Sequence, residues 1–381
     1  MPGHTCITLL RGRGGQVLFI TAATLLALMG FAALSIDIGL MYHARTEAQR
    51  TADAAALAGA GALLQAPADL DRVRNAIIAV ASANTIRGDS IVLLPEDVDV
   101  VPDSQIVRVR IVRHADRGSG VPTLFARALG FSEISVASEA AASSFPARSV
   151  TCLLPLAIPD RWSEGPGLSD WPGSSDTYEP TSGDIYMPPD PLSPSVPGTG
   201  FNSLDVGSSL ALRAADPGEL PRMGRYLPIQ PSSVLFTVEE YKYASWECRS
   251  PTSGGDGTWT EGTTVGINLA EWEVVEWEAA YGAQRVLERN PDARWDASCL
   301  CATGNPEHVA ARTFSLPLFA PPAAPTSGDT SLTLSGFAGV FVEATAPNTV
   351  IVRLVHYAGT QPAENGSPMS GSLARVLRLV Q

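Results

Sequence analysis

From Val17 to Ile36 the chain is an unbroken apolar run, VLFITAATLLALMGFAALSI, without a charged residue. At 1.5 Å of helical rise per residue, a run of about 20 such residues matches the roughly 30 Å hydrocarbon core of a bilayer. In water the same run needs burial on every side, yet its flanks, RGRGGQ before and DIGLMYHAR after, are polar and charged. The pattern predicts one membrane-spanning helix. Arg11 and Arg13 on its short N-terminal side hold that end in the cytoplasm, which puts everything after Asp37 outside. A cleaved secretory signal is the other reading of such a run. Signal cores are usually shorter, about 7–15 residues, and no small-x-small site follows directly here. Ala52-Asp53-Ala54 has suitable letters but falls within continuous helix, so the run is read as a retained anchor.

The helical pattern continues through residues 43–64, which hold no proline and no adjacent glycine pair. Ala48, Ala52, Ala55, Gly59 and Ala62 recur at three- and four-residue spacing and line one smooth face. Such a face admits the close approach of another helix. Alanine is also simply a good helix former, and on that reading the segment is a plain stalk. Asp37 sits where the helix leaves hydrocarbon. It is either a polar residue at the rim, where it costs little, or a contact to a neighbouring subunit or basic group. Asp53 has Arg50 three residues before it, but one such pair contributes only a few tenths of a kcal/mol, too little to explain its placement.

Beyond residue 65 the period changes. Residues 69–86 place Val73, Ile77 and Val80 on one helical face. Ile91–Leu94, Val98–Val101 and Ile106–Val112 read as strands, and Pro122–Leu129 as a short helix opened by proline and closed by Gly130. Residues 159–200 are rich in Pro, Gly, Ser and Asp and carry no core period, although Trp162, Trp171 and Tyr178 suggest that part of the stretch is pinned down. Val234–Val238, Thr263–Leu269, Ser331–Glu343 and Thr349–Tyr357 read as strands, while Glu271–Glu288 fits both helix and strand periods. The fold class is α+β. Its parts are a cytoplasmic N-terminus (1–15), the membrane helix and its Ala-rich extension (16–64), a membrane-proximal α+β unit (65–148) and a β-rich exported domain (149–381) with the 159–200 insertion.

Three local features carry a family resemblance: the Arg/Gly-rich lead before the span, Asp37-Ile38-Gly39 at its outer end, and AQRTADAAALAGA at Ala48–Ala60. The segment resembles the N-terminal part of the TadE/TadG-like proteins of tight-adherence (Flp) pilus assembly. Farther on, IVRVRIVRHA (Ile106–Ala115), VPTLFARALG (Val121–Gly130) and ISVASEAAAS (Ile134–Ser143) resemble that family's strand–helix–strand unit. A looser echo covers SLPLFA (Ser315–Ala320) and SGFAGVFVEA (Ser335–Ala344). The resemblance implies helix packing through Asp37, Gly39, Ala48, Ala52, Asp53, Ala55 and Gly59, against other pilus or secretion-assembly subunits or a second copy. Processing as a prepilin wants a Gly cleavage site with Glu five residues beyond it. After Gly15 that position is Ile20, so the chain looks more like the uncleaved TadG-type component.

The net charge of −13 and the low charged content of 17% argue against nucleic acid as a partner. Lys242 is the only lysine. Four of the five cysteines, Cys152, Cys248, Cys299 and Cys301, fall on the exported side and read as two disulfides. A Cys299–Cys301 bridge closes a strained three-residue ring. The expected pairings are therefore Cys152–Cys299 with Cys248–Cys301, or Cys152–Cys301 with Cys248–Cys299. Cys299 and Cys301 with His308 make a poor zinc set, because structural zinc draws four ligands in paired spacings.

Chemistry is otherwise sparse. No phosphate loop, nucleophile elbow, zinc-protease motif or dinucleotide fingerprint occurs, and no catalytic, metal or cofactor residue is assigned. His356, alone on a strand, reads as packing or surface. Asp329-x-Ser331-x-Thr333 matches a metal-binding motif only in letters and reads as a turn. Glu271, Glu273, Glu276 and Glu278 read as a solvated face. The sequence is that of a single-pass membrane protein with its bulk in the periplasm or outside the cell, acting as a non-enzymatic pilus or secretion-assembly component. The competing class is a membrane-tethered enzyme or ligand binder that uses the insertion and its tryptophans as a surface.

Overall fold

The computed structural model describes residues 14–65, 69–102, 105–172, 177–188, 198–216, 218–230, 237–242, 246, 258–268, 271–325, 329–362 and 373–380. The chain is α+β. It divides into two compact units that interleave along the sequence. The first takes in the chain up to Ala55, Ile78–Asp99 and Arg108–Ala140; the second takes in Ala56–Ile77, Val100–Val107 and Ala141–Gln381.

Helix α1 runs without a break over Gly14–Gln65, 52 residues. Its first part is exposed and apolar all round, with Val17, Phe19, Leu26 and Phe31 free of any cover from the chain. Among the described residues it is the one helix long and apolar enough to cross a membrane. Further along, one side becomes buried at Ala44, Ala48, Ala52, Ala55, Ala56, Ala60 and Leu63. The change is legible as a change of pattern, from apolar on every face to an apolar stripe at three- and four-residue spacing.

In the first unit a tight hairpin pairs Thr85–Ile86 with Asp89–Ser90. Arg87 and Gly88 form its loop, both at positive φ, the geometry of a primed turn that matches strand twist. Strand Ile106–Arg113 buries Val107, Val109 and Ile111 at alternate positions, as its sequence period requires. It stands between Val98–Val101 and the long strand Val136–Val150. Two expectations fail here. Ile91–Leu94 is not a strand, and Pro122–Leu129 is not a regular helix. Val121–Pro122 pairs with Glu133–Ile134, and only Ala126–Leu129 coils, as a single 3-10 turn closed by Gly130 at φ 95°. The reason is long-range: Thr123 N–H goes to Ser132, and the next three amides are taken by a side chain of α1.

Helix α2, Leu70–Ser82, is shorter than the expected 69–86 and buries Val73 and Ile77 as its period predicts, with Ala81 buried where Val80 is only half-buried; the second unit takes in its residues up to Ile77. Among its described residues eight strands form one sheet, in the order Ser331–Thr333, Thr264–Ile267, Arg225–Gln230, Leu156–Pro159, Thr313–Phe319, Gly336–Ala346, Thr349–Val355 and Ser209–Ala214. The C-terminal strand Ala374–Val380 pairs antiparallel with Ala141–Pro146. Helix α3, Val238–Lys242, and helix α4, Trp272–Arg289, lie against each other, and α4 buries Val275, Ala279, Ala283 and Val286 in the main core. This settles the ambiguous Glu271–Glu288 stretch as helix. It also corrects the solvated face: Glu276 is buried, with its carboxylate 3.2 Å from Arg213 Nε, and Glu278 lies 3.5 Å from Lys242. Val234–Val238 falls mostly outside the described residues.

The described residues of the 159–200 insertion are held mainly by carboxylates. Buried Asp160 accepts the N–H groups of Arg161 and Phe201 and the hydroxyl of Tyr186; Asp184 accepts those of Gly165 and Glu179; Asp205 accepts that of Asn202. Trp162, Trp171 and Tyr178 are buried in the same core, Trp162 edge-on to Tyr178 at 5.5 Å and Trp171 edge-on to Phe201 at 5.8 Å. Backbone outside regular elements leaves amides without ladder partners, and buried aspartates are one way to satisfy them.

Candidate functional site

The residues singled out by the sequence lie along α1 beyond the apolar run, and the structure separates them by what each touches. Asp37 is buried, at 5% exposure. Its carboxylate accepts the backbone N–H groups of Leu124 at 2.8 Å, Phe125 at 3.0 Å and Ala126 at 2.5 Å. An anionic oxygen pair is the natural partner for amides at the start of a helical turn, which have no acceptor within the turn. Asp37 is thus more than a bare rim residue: within the chain its carboxylate is engaged by three backbone amides. It stands seven residues, about two turns, before Ala44, on the same face as the alanine stripe.

That face is covered by the same chain. Ala48, Ala52 and Ala55 are fully buried. At Gly59 a methyl group built on the backbone meets Ile77 at 2.7 Å and Val107 at 2.8 Å. The covering elements belong to the chain's own fold, so the face is neither an open seat for a partner helix nor a bare stalk. Gly39 differs: it is exposed, and nothing of the chain lies within 4 Å of a methyl placed there.

Asp53 accepts from Gln49 Nε2 at 2.8 Å, and the same Gln49 nitrogen lies 3.2 Å from the Glu139 carbonyl. Asp53 therefore orients Gln49 across the first unit. Sequence reasoning missed Glu47, whose carboxylate accepts the N–H of Arg87 in the hairpin loop at 2.8 Å. The signal available was its position one helical turn before Thr51 and Ala52, at the edge of the buried face.

The cysteines need a correction. Cys299 is joined to Cys301, with the two Cα atoms 5.2 Å apart, which rules out both cross-pairings expected from the sequence. The intervening Leu300 sits at φ 51°, a left-handed turn that brings the flanking residues within ordinary disulfide reach. Cys152 is also disulfide-bonded, and Cys248 lies outside the described residues. With their sulfurs bonded to each other, Cys299 and Cys301 have no thiolates for a metal, and His308 instead lies 3.4 Å from Asp292.

A groove of about 740 Å³ opens in the first unit beside Asp89, Arg113, Arg117 and Glu133. Its arginines are committed: Arg113 to Asp89 at 2.7 Å and to the Ser119 carbonyl at 2.6 Å, Arg117 to Asp97 at 2.8 Å. His356 is held well below its usual range, at about 3, by burial and by the neighbouring Arg375, and is neutral packing. Among the described residues no group of three or more His, Cys, Asp or Glu is placed to hold a metal ion.

Residues 15–62, the apolar run together with the stripe, match the family model described as "Putative Flp pilus-assembly TadE/G-like". The N-terminal helix is TadE/G-like. The match ends three residues before α1 does, so the matched segment comprises the stretch long and apolar enough to cross a membrane, Asp37 and most of the face that the rest of the fold covers. None of the curated proteins and none of the solved structures compared with the chain matches it.

Proposed function

We propose that this chain is a non-enzymatic, single-pass component of a Flp-type pilus or secretion assembly. Its N-terminus is cytoplasmic and the chain beyond Asp37 is exported. The observation that supports this reading best is the continuity of α1. One TadE/G-like helix is apolar and uncovered over Val17–Ile36, then becomes the buried support of a folded unit through Ala44, Ala48, Ala52 and Ala55. A helix so divided transmits position from the bilayer to the exported fold without a hinge of proline or paired glycine. Arg11 and Arg13 set the orientation, and a Cys299–Cys301 bridge suits an oxidising compartment. The uncovered Gly39 and the apolar faces of residues 17–36 are what remains for partner helices, since the alanine face is already occupied.

A reporter that works only outside the cytoplasm, fused after Gln381, tests the orientation: activity is expected, and activity of a cytoplasm-only reporter overturns it. Gentle solubilisation of native membranes followed by affinity purification of the chain should bring down other pilus or secretion subunits. Recovery of the chain alone from piliated cells contradicts the assembly role.

A further inference from the structure

Four large apolar side chains stand uncovered on one short stretch of the first unit. Leu124 is 51% exposed, Phe125 47%, Leu129 78% and Phe131 66%. Contiguous apolar surface of this kind on a folded unit marks a contact with something other than water. The same stretch is tied to the membrane helix: the Asp37 carboxylate holds the amides of Leu124, Phe125 and Ala126 at 2.5–3.0 Å. Asp37 is the first residue after the apolar run. Because about 20 residues of helix fill the roughly 30 Å hydrocarbon core, Asp37 lies at the depth where acyl chains give way to headgroups. A backbone hydrogen-bonded directly to it has no freedom to stand far from that depth. Ile38 and Tyr42, the next exposed side chains of α1, carry the apolar surface on past Asp37.

We propose that Leu124–Phe131 is a second membrane contact, a 3-10 turn lying in the outer interface of the bilayer with Leu124, Phe125, Leu129 and Phe131 set among the lipids. Amphipathic pieces bind in this way, with the apolar side at the headgroup–acyl boundary. Arg127, also exposed, has the length to keep its guanidinium among headgroup phosphates while its stem lies along the apolar layer. The lipid surface is favoured over a protein partner because the patch is fixed by Asp37 at bilayer depth, where lipid is present around every copy of the anchor. The contact limits how far α1, and the first unit built on it, can tilt in the bilayer, since the helix and the turn then meet the bilayer at two separate places.

The inference rests on Val17–Ile36 spanning the membrane, and the experiment separates the two. The full chain is placed in phospholipid nanodiscs with photoreactive benzoylphenylalanine at position 125, 129 or 131, and lipid adducts are read by mass spectrometry after illumination. Position 31, within the apolar run, tests the span. Position 78 is the control for water: Ile78 is exposed and follows Ile77, which packs on Gly59, about six helical turns beyond Asp37. Lipid adducts are expected at 31, 125, 129 and 131, with their loss at 78. Adducts at 31 without any at the three loop positions overturn the second contact and leave the span intact. Adducts at none of the four overturn the span and the contact together. Cross-links from 125, 129 and 131 to protein in place of lipid show a subunit interface and overturn the lipid assignment.

Discussion

The carboxylate of Asp37 accepts the backbone N–H of Phe125 at 3.0 Å, across 88 residues of sequence. Together with the bonds to Leu124 and Ala126, this fastens the Val121–Ile134 loop to the point where α1 leaves the apolar run. The position of the loop depends on one side chain, and that dependence is testable.

Asp37→Ala removes the acceptor of three amides at once, and Asp37→Asn leaves one oxygen for three donors. Hydrogen exchange of the full chain in nanodiscs should show residues 124–126 exchanging faster in both variants, Ala the more so, while the Val107–Ile111 amides stay protected. Unchanged protection at 124–126 would mean that Asp37 does not hold the loop.

Gly59 and Gly39 make a matched pair on one helix. A methyl at Gly59 meets Ile77 and Val107 under 3 Å, whereas at Gly39 it meets nothing within 4 Å. Gly59→Ala is expected to destabilise the fold by about 1–3 kcal/mol through overpacking. Gly39→Ala should be neutral or stabilising by up to about 1 kcal/mol, the ordinary preference for alanine in helix. Thermal unfolding of the detergent-solubilised chain measures both. Equal effects at the two sites would contradict the packing described for the stripe.

The Cys299–Cys301 bridge closes a very short loop. By chain entropy it contributes only about 1–2 kcal/mol, so Cys299→Ser with Cys301→Ser should leave a folded chain with a modestly lowered midpoint. Non-reducing peptide mapping should recover both cysteines in one self-bridged peptide. A linkage of either to Cys152 or Cys248 would reverse the assignment.

Asp160 makes stability depend on pH. Burial pushes its carboxyl up to about 6; the amides of Phe201 and Arg161 and the Tyr186 hydroxyl pull the other way, and nearby Asp205 adds to the rise. The folded chain therefore holds this proton more tightly than the unfolded one. Folding takes up a proton between about pH 4 and 6, and the contribution of Asp160 falls as pH rises through that window, by an amount on the order of 3 kcal/mol from end to end. Asp160→Asn keeps an oxygen for Phe201 and Arg161 and has no such titration. Urea unfolding of the two proteins across pH 4–7 should show their difference changing in this window and level above it. A constant difference would show that Asp160 stays ionised throughout.

Much of α1 was readable without a structure. An apolar run of bilayer length and alanines at helical spacing are local properties, set by rise per residue and by periodicity, and they also carry the TadE/G-like match. The alternation of Ile106–Arg113 and the face of Leu70–Ser82 are local in the same sense. What covers the alanine face, which amides Asp37 receives, why Pro122–Leu129 fails to form a helix, and how Glu276 comes to be buried were decided by residues tens of positions away in the chain. Local pattern states that a face must be covered or an amide satisfied, but many covers satisfy it equally well in sequence. Only the closure of the whole chain brings Ile77 and Val107 to Gly59 and Leu124–Ala126 to Asp37, because those contacts depend on every strand and turn between them being in place.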